Sequence, residues 1–201
     1  MIAIVDYKLG NLGSVFNMLK YLGYESEITS DPEKILNADK LIISGVGSFD
    51  TGMRNLHKLG LFEVLQDKVT IKKTPILGIC LGMQLMGTQS EEGEETGFGW
   101  IKGRSVKFDS EKVRIPHMSW NEIKIKREVR LFINLDINSK FYFAHSFHLV
   151  PEDENMVIAE SFYGNQFVAA VEHENITGVQ FHPEKSHKYG MQLFKNFMAA
   201  D

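Results

Sequence analysis

The chain has 201 residues, 43% hydrophobic and 24% charged, with 22 Lys and Arg against 26 Asp and Glu for a net charge of −4. That balance belongs to a soluble globular protein and lacks the basic excess of a nucleic-acid binder. A single cysteine speaks against a disulfide-built secreted scaffold and for a reducing, cytoplasmic setting.

The opening Met1-Ile2-Ala3-Ile4-Val5-Asp6 has neither a basic n-region nor a long apolar core, so it reads as a first strand over 2–5 and not as a signal peptide. No apolar run approaches membrane-spanning length. A glycine-containing turn over 7–13 leads into a helix from about Ser14, with Val15, Met18, Leu19 and Leu22 on one stripe and Gly23 as its stop. A weaker strand follows over 25–29. Asp31-Pro32 then supplies a cap and a first-position proline for a short helix. Residues 41–43 form a third strand that runs into Ser44-Gly45-Val46-Gly47-Ser48-Phe49. Helices over 53–59 and 61–69 are expected to break at Gly60. A fourth strand covers 75–79.

That fourth strand ends in Gly78-Ile79-Cys80-Leu81-Gly82-Met83-Gln84. Gly-x-nucleophile-x-Gly is the spacing of a strand-to-helix elbow, in which a Cβ at either glycine would crowd the turn. The elbow lifts a thiol above the sheet edge, beside the start of the next helix. A lone cysteine is more often a small core residue, but two flanking glycines after an apolar strand favour a nucleophile. Strands that are apolar throughout and alternate with helices predict a mostly parallel sheet covered on both faces. Ligands bind such sheets beyond the carboxyl ends of the strands, where Asp6, 45–47 and Cys80 converge.

Residues 90–97 are acidic and glycine-rich and read as a surface loop. From residue 106 onward short strands dominate, over 106–108, 122–125, 141–147, 157–160, 167–172 and 177–181, with turns such as Tyr163-Gly164-Asn165. This second half predicts antiparallel hairpins, hence a smaller antiparallel sheet. A last helix over 189–199 buries Leu193, Phe194, Phe197 and Met198. No repeat or low-complexity linker divides the chain, so residues 1–201 are read as one domain.

A cysteine nucleophile needs a base and an orienter in space. In Gln180-Phe181-His182-Pro183-Glu184-Lys185-Ser186 a histidine ends a strand, a proline fixes the backbone and an acid follows two residues on. His182 and Glu184 are therefore the candidate base and orienter for Cys80. The histidines lack ligand spacing, so no metal is expected, and no cofactor motif is present.

Gly-Ile-Cys-Leu-Gly-Met-Gln together with Gln-Phe-His-Pro-Glu-Lys-Ser resembles the class I (triad) glutamine amidotransferases, with their flavodoxin-like α/β fold. Val5-Asp6-Tyr7 with Gly10-Asn11-Leu12, Gly45-Val46-Gly47, Pro116-His117-Met118 with Trp120-Asn121, and Phe141-Tyr142-Phe143 with His145-Ser146 resemble, more narrowly, the HisH-type glutaminase subunit of imidazole glycerol phosphate synthase. The resemblance implies hydrolysis of glutamine by a Cys80, His182, Glu184 triad. It implies an oxyanion hole from the N–H groups of Leu81 and of the Gly45-Val46-Gly47 loop. Glutamine would be held by Gln84, Glu92 and the backbone of His145, Ser146 and Phe147. It also implies ammonia transfer to a HisF-type (β/α)8 partner in a heterodimer, with Asn11, Ser14, Trp120 and Lys185 at or near that interface. Two positions depart from the usual pattern: Ser44 stands for the proline of Pro-Gly-Val-Gly, and Ser119 for the glycine of Pro-His-Met-Gly-Trp. The segment 184–194 also resembles paralogues of surface-sugar biosynthesis that feed ammonia to an amidotransferase forming acetamidino sugars. A stand-alone cysteine hydrolase and a non-catalytic flavodoxin-like binding module are the rival readings, the second disfavoured by a complete triad.

Overall fold

The computed structural model describes residues 1–136 and 139–199. In chain order the elements are β1 (Ile2–Val5), α1 (Leu12–Tyr21), β2 (Ser26–Thr29), α2 (Pro32–Leu36), β3 (Lys40–Gly45), α3 (Phe49–Lys58), α4 (Leu61–Gln66), β4 (Ile76–Cys80), α5 (Leu81–Leu85), β5 (Gln89–Ser90), β6 (Gly103–Lys107), β7 (His117–Glu122), β8 (Lys124–Ile125), β9 (Lys140–His145), β10 (Phe147–Pro151), β11 (Val157–Tyr163), β12 (Asn165–His173), β13 (Ile176–Val179) and α6 (His187–Ala199).

Eight strands form one sheet in the order β2-β1-β3-β4-β13-β12-β11-β8. The first five are mutually parallel, and β12, β11 and β8 extend them antiparallel. The inner strands β1 and β4 are apolar throughout because both faces are covered, whereas the edge strand β2, Ser26-Glu27-Ile28-Thr29, is mostly polar. On one face Val15, Leu19, Leu193, Phe194 and Phe197 of α1 and α6 pack with Ile4, Ile42 and Leu77. On the other, Ile35, Phe49, Met53, Leu56, Leu61 and Leu65 of α2, α3 and α4 pack with Val5, Leu41 and Ile43. Two small sheets, β10-β6-β5 and β7-β9, complete the second half.

Several local expectations change. The helix expected over 61–69 is α-helical only to Gln66 and then widens into a π-turn, Asp67–Ile71. There Lys68 is buried, and its ammonium donates to the carbonyls of Leu36 and Ala38 at 2.9 and 2.7 Å. The strand expected over 141–147 is broken at Ser146: β9 pairs with β7, and β10 with β6. The strand expected over 122–125 begins five residues earlier, as β7, and resumes as the two-residue β8. β13 is not part of a hairpin sheet apart from the core. It enters the middle of the main sheet beside β4, with Val179 opposite Ile79.

Candidate active site

β4 and β13 carry the two halves of the site to the same end of the sheet. Cys80 closes β4 at φ +54° and ψ −108°, a backbone conformation rare for a residue with a side chain. The glycines make the turn possible: a Cβ on Gly82 would stand 1.9 Å from the Ile43 carbonyl oxygen, and one on Gly78 2.9 Å from the backbone of Gly82. Leu81 is the first residue of α5, so its N–H has no acceptor within the helix.

Beyond β13 the chain forms a single 3-10 turn, Pro183–Lys185, with the proline at its first position. His182 N–H donates to the Tyr142 carbonyl at 2.8 Å, and the Ser186 hydroxyl donates to the His182 carbonyl at 2.6 Å. These bonds hold the imidazole where Glu184 Oε1 lies 2.7 Å from its Nδ1. Both side chains are all but removed from solvent, at 1% and 4% exposure. Burial alone lowers the pKa of the imidazole. Cys80 and Glu184 more than offset this and push it up to about 10. Nε2, the other ring nitrogen, is buried and makes no hydrogen bond among the described residues. It is free for a proton shared with sulfur or substrate.

In front of Cys80 opens a cleft of about 300 Å³. Val46, Gly47, Cys80, Leu81, Gln84, Glu92, His145, Ser146 and Phe147 all line it, with Pro116, Met118 and Ala144. Gly45 sits one step behind the lining, opposite Cys80 in the β3–β4 ladder. It has no space for a side chain, because a Cβ there would lie 1.8 Å from the Tyr7 hydroxyl. Gln84 donates to the Phe147 carbonyl at 2.9 Å. Glu92 accepts from the N–H of Phe49, the first residue of α3, at 2.8 Å, so its carboxylate is seated at the helix end where the dipole favours negative charge. The acidic loop around it is fastened down: Asp50 accepts from the N–H groups of Glu94 and Glu95, and Arg54 bridges Asp50 and Glu95.

The candidate interface residues do not line this cleft. Trp120, 43% exposed, stacks on His187 with ring centroids 5.3 Å apart. The Lys185 ammonium lies 5.6 Å from the centroid of Tyr142, a second neighbour of Trp120. Asn11 and Ser14 mark the amino end of α1, which packs against the 183–185 turn. Sequence reasoning gave no role to Gln180. It is fully buried and donates from Nε2 toward Cys80 Sγ at 3.7 Å, while its Oε1 accepts from Gln84 at 3.2 Å. Its place two residues before His182 was the available signal. Among the described residues no cluster of His, Cys, Asp and Glu is placed to hold a metal, and no helix is long and apolar enough to cross a membrane.

A strained cysteine at an elbow, backed by a buried histidine–carboxylate pair from the adjacent parallel strand, is the arrangement of a cysteine amidase. Residues 3–200 match the family model described as "Glutamine amidotransferase class-I", and the chain belongs to that family. Within it, the chain is 52% identical over 199 residues to "Imidazole glycerol phosphate synthase subunit HisH 2" of Methanococcus maripaludis, covering 98% of each chain. It is 48% identical over 199 residues, again at 98% of each, to the protein of the same name from Pseudomonas aeruginosa. The fold is shared with PurLQS from Thermotoga maritima at a TM-score of 0.74 and 19% identity, over 98% of this chain and 96% of that one.

Proposed function

We propose that residues 1–201 act as one glutaminase domain, the ammonia-producing subunit of an imidazole glycerol phosphate synthase. The observation that carries this is the placement of Cys80 at the end of β4, lining a cleft of about 300 Å³, with the buried His182–Glu184 pair just beyond β13, the strand that pairs with β4. Cys80 Sγ, as a thiolate beside the His182 imidazolium, attacks the side-chain amide carbon of glutamine. The tetrahedral oxyanion accepts N–H donors from Leu81 and the Gly45–Val46 peptide. Collapse breaks the C–N bond, and the leaving nitrogen takes the proton from His182 and departs as ammonia. Water, deprotonated by the same imidazole, then hydrolyses the glutamyl thioester to glutamate. Glu184 keeps the proton on Nδ1 and balances the imidazolium charge. Gln84, Glu92 and the 145–147 backbone hold the substrate.

Ammonia freed into water is protonated and lost as a nucleophile, so a (β/α)8 cyclase subunit docks over the cleft on the side of Asn11, Ser14, Trp120 and Lys185. The complex works in the cytoplasm, with no cofactor in this subunit and no nucleic acid. The segment 184–194 supports a second reading with the same glutaminase chemistry and a different acceptor, the surface-sugar paralogue. Co-purification with each candidate barrel subunit, followed by ammonia release from glutamine, tests both. A tagged chain that retains the cyclase and releases ammonia fits the first reading. Retention of a sugar amidotransferase fits the second, and glutamine hydrolysis by neither assembly overturns both.

A further inference from the structure

The segment 90–97 carries Glu92 to the cleft. It is tied near its ends, where Glu91 N–H donates to the Ser105 carbonyl and Gly97 N–H to the Thr88 carbonyl, each at 2.9 Å. Glu92 is exposed, so hydrogen bonds rather than burial set its place. Its Oε2 accepts from the N–H of Phe49, the first residue of α3, at 2.8 Å. The next residue of that helix, Asp50, receives the middle of the segment. Its Oδ2 and Oδ1 accept from the N–H groups of Glu94 and Glu95 at 3.2 and 3.0 Å. Gly93 lies so close to the same carboxylate that a Cβ there would stand 2.0 Å from Oδ1.

An acid four residues before an arginine on a helix is ordinarily a surface ion pair of small value. Asp50 departs from that pattern. Its side chain is 17% exposed, against 63% for Arg54. Both of its oxygens are committed to backbone 44 and 45 residues further along the chain. We propose that Asp50 is a positioning residue: by pinning 93–95 to the first turn of α3, it fixes the Glu92 carboxylate for the α-ammonium of the substrate. This rests on the reading of the cleft as the glutamine site. Among the described residues Glu92 is the one carboxylate in the cleft lining. The α-ammonium is the one cationic group of glutamine, so charge complementarity directs one to the other. A charge-assisted hydrogen bond depends on distance and direction. Without Asp50 the segment keeps its ties at Glu91 and Gly97 and loses those between them. The bond from Phe49 then has to hold the loop as well as the carboxylate. Substrate binding has to order the segment first, which weakens it. The reacting amide, at the far end of the substrate, is unaffected.

Steady-state ammonia release by the complex with its barrel partner, read together with amide hydrogen exchange across 90–97, tests this. Asp50→Asn keeps the size of the side chain, removes its charge and leaves one acceptor oxygen in place of two. It is expected to raise KM for glutamine roughly three- to tenfold, part of the value of a charge-assisted hydrogen bond. Its kcat is expected to stay almost unchanged, as when binding common to ground and transition state is lost. Exchange at Glu94 and Glu95 is expected to quicken. Glu94→Gln takes a charge from the same loop and keeps its N–H bonds, and its KM is expected to match the wild type. In a Glu92→Gln background Asp50→Asn is expected to lower kcat/KM no further, because its effect passes through Glu92. Unchanged exchange or unchanged KM in Asp50→Asn, a loss confined to kcat, an equal rise of KM in Glu94→Gln, or full additivity with Glu92→Gln would each overturn the positioning role. A wild-type complex that releases no ammonia would overturn the proposed function, and the positioning role with it, while quickened exchange in Asp50→Asn would leave the fastening of the loop standing.

Discussion

The side-chain amide of Gln180 approaches the sulfur of Cys80 to 3.7 Å and also receives Gln84 at 3.2 Å. One buried glutamine thus joins the nucleophile to the floor of the cleft. Its N–H groups favour negative charge on sulfur, because a hydrogen bond to a charged acceptor is stronger than a neutral one. Gln180→Ala is expected to lower kcat for ammonia release by roughly ten- to a hundredfold, the value of one such bond. Gln180→Glu is expected to be worse, because a carboxylate only accepts and adds like charge beside the sulfur. A Glu variant as active as wild type would show that the amide is no donor to Cys80.

Cys80 and His182 act as one unit in the mechanism above, so their losses do not add. Cys80→Ala is expected to abolish glutamine hydrolysis, with His182→Ala nearly as damaging and the double variant no worse than Cys80→Ala. Glu184→Ala is expected to be milder. The Cys80→Ala complex is still expected to use ammonium salts at raised pH, because the synthase chemistry lies on the other subunit. Residual glutaminase activity in Cys80→Ala contradicts the assignment of the nucleophile. A double variant far below both single ones contradicts the shared unit.

The elbow was legible because its constraint is local: a sharp turn needs Gly78 and Gly82, whatever lies around it. The position of His182 was not. Ile176-Thr177-Gly178-Val179 is too short to show whether it pairs parallel or antiparallel, and only its register against Ile79 brings the base to the nucleophile. β7 escaped notice for a different reason. Its inward residues, His117, Ser119 and Asn121, are polar and satisfied by one another, so the apolar alternation that marks a half-buried strand is missing. At Ser146 an apolar run hid a break, because β9 and β10 read as one strand until each finds its own partner.

Three buried histidines make stability depend on pH. Burial holds His117 and His148 down at about 4 and His145 at about 3. In the unfolded chain each returns to a value near 6.5. Between pH 6.5 and about 4 the unfolded state therefore binds more protons, and stability falls as pH falls. His182 works in the opposite sense. Raised to about 10, it contributes stability that is fully present below pH 6.5 and is lost as pH rises through 10. Urea midpoints are expected to drop from pH 7.5 to pH 5, and more gently in His148→Asn. A midpoint that stays constant over that interval would contradict neutral burial of the three rings.

Hydrolysis of glutamine without an acceptor wastes it, and a movable oxyanion donor is an economical gate. Ser44 is buried near the end of β3, opposite Ile79, and the next residue, Gly45, is opposite Cys80. Val46 is 53% exposed, so the 45–46 peptide sits where the chain leaves the sheet. Turning its N–H toward the bound amide adds one oxyanion donor, worth roughly 3 kcal/mol or about a hundredfold in rate. A proline at 44 would fix that residue's φ and remove its N–H, stiffening the entry to the loop. It would also hold Ile43 extended, as it already is in β3. Serine imposes neither restraint, so the loop turns over more readily, with a higher basal rate and a smaller activation ratio than a proline would give. Ser44→Pro is expected to lower basal ammonia release several-fold and to leave the fully activated rate almost unchanged. The measurement is steady-state ammonia release by wild type and variant, each with the partner subunit, with and without acceptor. A basal rate that stays the same in the variant removes position 44 from the gate.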